Sequence, residues 1–368
     1  MRVRLGDYIH EYSVRNKKDE EIPVYSVTNT QGFCKDYFDK EVASRDKSTY
    51  KIVPRGAFAY NPSRINVGSV DWQNKEEKVI VSPLYNVFKV DPGLNQQYLL
   101  YYLKSDRTQH FIREMATGSV RDNLKLTMLY EFSINIPDLE EQINIAYKLD
   151  KIRKVIRLRK EELKGLDNLI KARFVELFGD PVRNQHGYEK VNLSELADIK
   201  IGPFGSLLHK ENYIEGGHPL VNPSHIIGGK VVPDKKLSIS DEKYKELSAY
   251  QLRLGDVVMG RRGEMGRCAV ILNDGYLCGT GSLMIRTKGE VTADYLQKVI
   301  SFPSFKKTIE DMAVGQTMPN LNVPIVSAFK IIKPPIEVQN RYYAFVAEID
   351  KSKLLYPAPS AIYQPNTS

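Results

Sequence analysis

From Asp138 to Phe178 the chain runs without a proline through a sustained seven-residue repeat. One row of that repeat is Ile145, Ile152, Arg159, Leu166 and Arg173, and the other is Leu149, Ile156, Leu163, Ile170 and Leu177. Eight of these ten residues are aliphatic, and the flanking positions are filled with Lys, Arg and Glu. The pattern is that of one helix whose narrow apolar stripe packs against another helix. Pro137 precedes it and Gly179-Asp180-Pro181 stops it, so both ends carry helix punctuation. At about 1.5 Å per residue it reaches roughly 60 Å, more than a small domain needs. The two seam arginines and Gly165 each cost stability, the glycine about 1 kcal/mol relative to Ala. The stripe is too narrow, and its flanks too charged, for burial inside one globule. Residues 138–180 therefore read as a coiled-coil spacer.

What lies on either side of the spacer is one domain written twice. In the first half, Val79–Val81 and Tyr85–Val90 alternate as strands do, and Asn95–Ala116 is a helix pair broken near Ser105-Asp106. In the second half, Thr292–Ala313 is a helix pair broken at Phe302-Pro303. The segments that follow match at a constant offset of 197 residues. Gly118 falls on Gly315, Asn123-Leu124 on Asn320-Leu321, Pro137 on Pro334 and Gln142 on Gln339. Upstream, RGAFAYNPSRINVGSVDW echoes LGDVVMGRRGEMGRCAVI at a slightly different offset. Such agreement marks an internal duplication. The expected fold is α+β: two α/β domains over 1–137 and 181–335, separated by the long helix. A second, shortened helix follows over 336–355, then an irregular tail, 356–368, whose prolines cannot continue a helix.

A formal net charge of +8 and an isoelectric point near 9.0 favour a polyanionic partner over an acidic-substrate pocket. Cys34, Cys268 and Cys278 form no metal-type spacing and are expected to be reduced thiols in a cytoplasmic protein. MRVRLGDYIH has no apolar signal core, and no run approaches the ~20 apolar residues of a membrane span.

With domain, helix, domain and helix in order, the chain resembles the specificity subunit of a type I restriction-modification system. The features that carry the likeness are the GDVVMGRRGEMGRCAVI loop, the VGQTMPNL turn, the FKIIKPPIEVQ exit and the EIDKSK helix segment. Their first-half echoes are NPSRINVGSV, TGSVRDNL and INIPDLEEQ. The resemblance implies two target-recognition domains, each reading half of a split double-stranded DNA target, on a helix pair that sets the gap and docks methyltransferase subunits. It further implies a motor-nuclease subunit as the partner that cuts. The chain departs from the family in its second helix, which is normally as long as the first, so the first lacks a full-length partner in cis. The seam Ile145, Leu149, Ile152, Ile156, Leu163, Leu166, Ile170 and Leu177 is then open to a partner subunit or to a second copy.

A DNA reader needs cations for phosphates and Arg, Asn, Gln, Ser or His for base edges. The duplicated loop supplies Arg261, Arg262 and Arg267 among glycines, with Asn61, Arg64 and Asn66 as the first-half equivalents. Asn29 and Gln31, beside Thr28, follow a short strand, as do Asn222, Ser224 and His225. Arg121, Asn123, Gln316, Thr317 and Asn320 lie in the turn before each exit strand, where capping that turn is an equal alternative. The six basic residues between Lys151 and Lys160 read as a solvated coiled-coil flank ahead of a DNA-facing one.

No catalytic machinery of its own is expected. The chain has no G-x-x-x-x-G-K-[ST] phosphate loop, and its Asn-Pro-Ser triplets lack the second proline and aromatic of an amino-methyltransferase motif. Pro233-Asp234 with Asp241-Glu242-Lys243 spells a nuclease-like pattern, but no strand pair frames it. Neither metal nor cofactor is expected. The competing reading is a coiled-coil scaffold whose basic domains bind DNA without sequence preference.

Overall fold

The computed structural model describes residues 2–35, 46–115, 123–313 and 320–355. The chain forms two compact units, Met1–Leu158 and Arg159–Ser368. One continuous helix, Leu139–Phe178, contributes its first half to one unit and its second half to the other.

Both units are built on the same four-stranded antiparallel sheet. In the first the strand order is Ile9–Glu11, Asn86–Val90, Phe58–Tyr60, Val70–Trp72. In the second it is Ala197–Ile201, Ser282–Thr287, Val257–Gly260, Cys268–Val270. A two-stranded ribbon closes each unit, pairing Arg2–Arg4 with Ser133–Asn135 and Lys190–Asn192 with Lys330–Ile332. The anticipated helix pairs are Gln96–Lys104 with Asp106–Met115, and Ala293–Ile300 with Pro303–Met312. Ser105 and Phe302-Pro303 break them where the sequence indicated.

The helix pairs cover one face of each sheet and build its core. In the first unit Phe58 and Phe88, cross-strand partners, stack with ring centroids 5.0 Å apart over Leu99, Leu103 and Ile112. In the second unit the long helix itself enters the core. Phe174 and Phe178 are buried among Tyr295 and Tyr342, with Phe178 5.0 Å from Tyr295 and 5.5 Å from Tyr342. Neither phenylalanine belongs to the apolar stripe. Gly179, at φ +71°, then ends the helix in the left-handed conformation.

The stripe itself meets the closing helix, Ile336–Leu355, which runs antiparallel to the second half of the long one. Tyr342 Oη donates to the Ile170 carbonyl at 3.4 Å, and Lys353 Nζ lies 2.9 Å from Asp167 Oδ1. The seam arginines are used here. Arg159 Nη2 reaches the Lys353 carbonyl at 3.4 Å, and the Arg173 guanidinium sits over the Phe345 ring at 5.8 Å. Ile156, Leu163, Leu166, Ile170 and Leu177 are half-buried along this line, as are Ile145 and Leu149. Ile152 is 55% exposed, together with Ile143, Tyr147 and Val155 on the same half of the helix. The closing helix has 20 residues against 40, so among the described residues it reaches only the 159–178 half, while helix Gln96–Lys104 meets the first half at Asp150 through Gln97 and Tyr101. Among the described residues no helix is long and apolar enough to cross a membrane.

Candidate nucleic-acid interface

In each unit the strand in the middle of the sheet delivers the chain to the loop marked by the duplication. In the first unit this strand ends at Tyr60, whose buried hydroxyl donates to the Leu124 carbonyl at 3.1 Å and accepts from Asn86 Nδ2 at 2.9 Å. Burial raises the pKa of that phenol and keeps it protonated as a donor. Leu124 N–H in turn donates to the Pro62 carbonyl at 3.1 Å. The loop after the strand is thereby tied to the turn that carries the exposed Asn123. Asn61 Oδ1 accepts from the Ser63 N–H at 3.1 Å and the Ser63 hydroxyl at 2.9 Å, which shapes the turn and commits that oxygen. Arg64 is exposed and Asn66 half-exposed.

The hairpin of Ser26–Thr28 and Gly32–Cys34 stands beside this loop. Thr28 Oγ1 accepts from Gln31 N–H at 3.1 Å, so Thr28 holds the hairpin turn, while Asn29 and Gln31 are exposed. Thr28, Asn29, Asn61, Arg64 and Asn66 together line one cleft of 490 Å³, joined by Ser26, Ser63 and Tyr85. Gln31 is outside it.

In the second unit Arg261 follows the equivalent strand. Its N–H donates to the Gly281 carbonyl at 3.0 Å, and its carbonyl accepts from Leu321 N–H at 2.9 Å, the counterpart of the Leu124 bond. Its Nε donates to Asn320 Oδ1 at 3.1 Å. Burial, then the neighbouring Arg262, pull the Arg261 pKa below its ordinary value, though a guanidinium remains charged at any physiological pH. Arg262 is exposed and forms no ion pair among the described residues. Arg261 and Arg262 line a cleft of 320 Å³ with Ile201, Phe204, Thr280 and Gly281.

Asn222, Ser224, His225 and Arg267 do not line this cleft. Asn222 opens a short turn whose Pro223 packs against Gly260 and Gly281. Ser224 is exposed there. His225 is 7% exposed with Nδ1 2.8 Å from the Leu220 carbonyl, a position that braces the turn. Arg267 is turned away from Arg262. It binds Glu264 through Nη2 at 2.7 Å and the Pro223 carbonyl through Nη1 at 3.2 Å. Arg121, Gln316 and Thr317 lie outside the described residues.

Sequence reasoning did not single out Ser26, Ser63 and Tyr85 in the first cleft, or Phe204 and Thr280 in the second. Phe204 is 61% exposed, and the C-G-T-G-S turn around Thr280 was a visible glycine signal. No group of three or more His, Cys, Asp or Glu able to hold a metal occurs among the described residues. Cys268 and Cys278 are buried, and burial pushes both thiols up to about 12.

Fold and site together define an internally duplicated α+β protein in which each repeat presents a polar, cationic cleft from the same sheet position. The family described as type I restriction modification DNA specificity domain matches twice, at residues 8–168 and 185–355. The chain belongs to that family. It is 21% identical over 373 residues to the type I restriction enzyme MjaVIII specificity subunit of Methanocaldococcus jannaschii, spanning 95% of this chain and 85% of that one. It is also 21% identical over 362 residues to the EcoKI specificity subunit of Escherichia coli K12, spanning 92% and 77%. Among solved structures, a chain from a study of complex assembly and conformational transition of the type I R-M system superposes with TM-score 0.58. That match has 20% identity and covers 96% of this chain and 90% of that one. The S subunit from M. genitalium gives TM-score 0.57 at 14% identity, covering 97% and 90%. At these identities the structures establish the shared fold.

Proposed function

We propose that this chain is the DNA-reading subunit of a type I restriction-modification complex, each of its two recognition domains, 1–137 and 181–335, contacting one half of a bipartite duplex target. The chain is a specificity subunit and non-catalytic; its contribution is target recognition. Base methylation then belongs to methyltransferase subunits and cleavage to a motor-nuclease subunit. The observation that carries the reading is the equivalent placement of the two clefts. Both follow the same sheet strand, and both are fastened to the exit turn by one backbone bond, Leu124 to Pro62 and Leu321 to Arg261. Cations and amides that recur at one structural position in two repeats are suited to two similar half-sites. The residues differ between repeats, as two different half-site sequences require.

The test is methylation-site mapping in cells that express the chain with its methyltransferase subunit. Arg64→Ala should relax the sequence read at one half of the target, and Arg262→Ala the sequence read at the other. A lost bidentate base contact costs about 1–3 kcal/mol at that position. Relaxation of both halves by either single change would exclude local reading. Methylation without any sequence preference would favour the scaffold reading instead.

A further inference from the structure

A second cleft in the Arg159–Ser368 unit shares no lining residue with the Arg261–Arg262 one. It has a volume of 410 Å³ and lies under the hairpin joining Ile226–Ile227 to Lys230–Val231. The turn of that hairpin is Gly228-Gly229, at φ +58° and +77°, so no side chain stands over the opening. Three cations border the cleft: Arg267, Lys298 and Lys306. One carboxylate, Glu264, lies among them, with Oε2 2.7 Å from Arg267 Nη2 and Oε1 3.0 Å from Lys306 Nζ. Lys298 is exposed and forms no ion pair among the described residues.

A carboxylate bridging two cations presents two anionic oxygens at hydrogen-bond distance, as a phosphodiester does. Glu264 sits on the same loop as Arg262, two residues further along the chain. The repeat equivalents of Lys298 and Lys306 are Tyr101 and Gln109. Tyr101 Oη donates to Asp150 at 2.6 Å and Gln109 is buried. The fold thus forms without these cations, and their presence in one repeat calls for a reason besides folding.

We propose that this cleft grips a phosphate of the DNA backbone next to the second half-site, and that Glu264 holds the phosphate's place until DNA arrives. The inference rests on the DNA reading above. Binding exchanges the Glu264 ion pairs for phosphate pairs on Arg267 and Lys306 and adds Lys298. The carboxylate tunes the site: it weakens the grip on every duplex without abolishing it.

The experiment measures binding of the full chain to a random-sequence 30-base-pair duplex across a salt series. Each phosphate contact contributes about 0.9 to the slope of log K against log salt. Lys298→Ala with Lys306→Ala should lower that slope by about 1.8, while the charge-keeping Lys298→Arg, Lys306→Arg pair retains it. If the alanine pair loses its fold by circular dichroism, the exposed Lys298→Ala alone is read, with an expected fall of about 0.9. Glu264→Gln should tighten random-duplex binding on the order of threefold, the value of one contact over a fourfold salt change. An unchanged slope in the alanine variant, or unchanged or weaker binding by Glu264→Gln, overturns the grip and leaves the reading domains standing. A wild-type chain that binds no duplex at any salt overturns the DNA reading itself.

Discussion

Gln142 and Gln339 stand 197 residues apart and make the same three hydrogen bonds. Gln142 Oε1 accepts from Asn95 N–H at 2.8 Å, and its Nε2 donates to the Gly93 and Pro137 carbonyls at 3.0 and 2.9 Å. Gln339 Oε1 accepts from Thr292 N–H at 2.9 Å, and its Nε2 donates to the Glu290 and Pro334 carbonyls at 3.3 and 2.9 Å. Both side chains are fully buried. Every one of these partners is related by the same offset. In each repeat the glutamine fastens a helix leaving the domain to the start of the first covering helix.

Truncating either glutamine takes the partner from one N–H and two carbonyls that are at least partly shielded from water. At about 1–3 kcal/mol for a group left unsatisfied, with water reaching some of them, Gln142→Ala and Gln339→Ala should each cost about 2–4 kcal/mol. Urea unfolding checks this. A loss below about 1 kcal/mol in either variant would show that the bonds are readily replaced.

Asp180, just beyond the long helix, gives the second unit a defined acid limit. Burial acts to raise its pKa, but N–H donors from Arg183 and Val182 and the Ser304 hydroxyl outweigh it and hold the carboxyl below its ordinary value. A depressed folded pKa contributes stability that is complete above the unfolded value, near 4, and is lost as pH falls through the lower folded value. Wild-type stability should therefore fall between about pH 4 and the folded pKa more steeply than that of Asp180→Asn. Parallel curves for the two proteins would remove Asp180 from the acid response.

The half of the long helix that the closing helix does not reach exposes Ile143, Tyr147, Ile152 and Val155, at 50, 56, 55 and 66%. A methyltransferase-subunit helix is the expected occupant. Ile152→Glu with Val155→Glu should abolish co-purification with that subunit and leave the melting temperature unchanged, since both positions face solvent. If the isolated wild-type chain sediments as a dimer and the variant as a monomer, the occupant is a second copy instead.

The same helix is expected to set the gap between half-sites. Four helix-favouring residues inserted after Leu158 add about one turn, roughly 6 Å, ahead of the paired stretch that begins at Arg159. Insertion between Gly165 and Asp167 would instead pull Asp167 from Lys353 and slip the seam. On B-DNA the added length corresponds to one or two base pairs, with both half-site sequences unchanged. Methylation of targets that differ only in gap length is the assay. An unaltered preferred gap would place the ruler in the partner subunits.

The long helix, the breaks at Ser105 and Phe302-Pro303, and the duplication were all legible in the sequence. Each is written in local spacing: a seven-residue period, a proline, a constant offset. The seam positions likewise fall half-buried along one line, apart from the exposed Ile152. The local period does not say which distant residue an atom meets. Phe174 and Phe178 lie off the stripe, yet they fill the second core, because the helix end is buried on a side that no heptad describes. Thr28 and Asn61 share a cleft because a hairpin packs beside a loop 33 residues further on. Arg262 and Arg267 are five residues apart with the same chemistry, and only the packed structure directs one to open solvent and the other to Glu264. Sequence fixes which residues are available at each position of the repeat. Tertiary packing decides which of them are consumed as partners and which remain free to read.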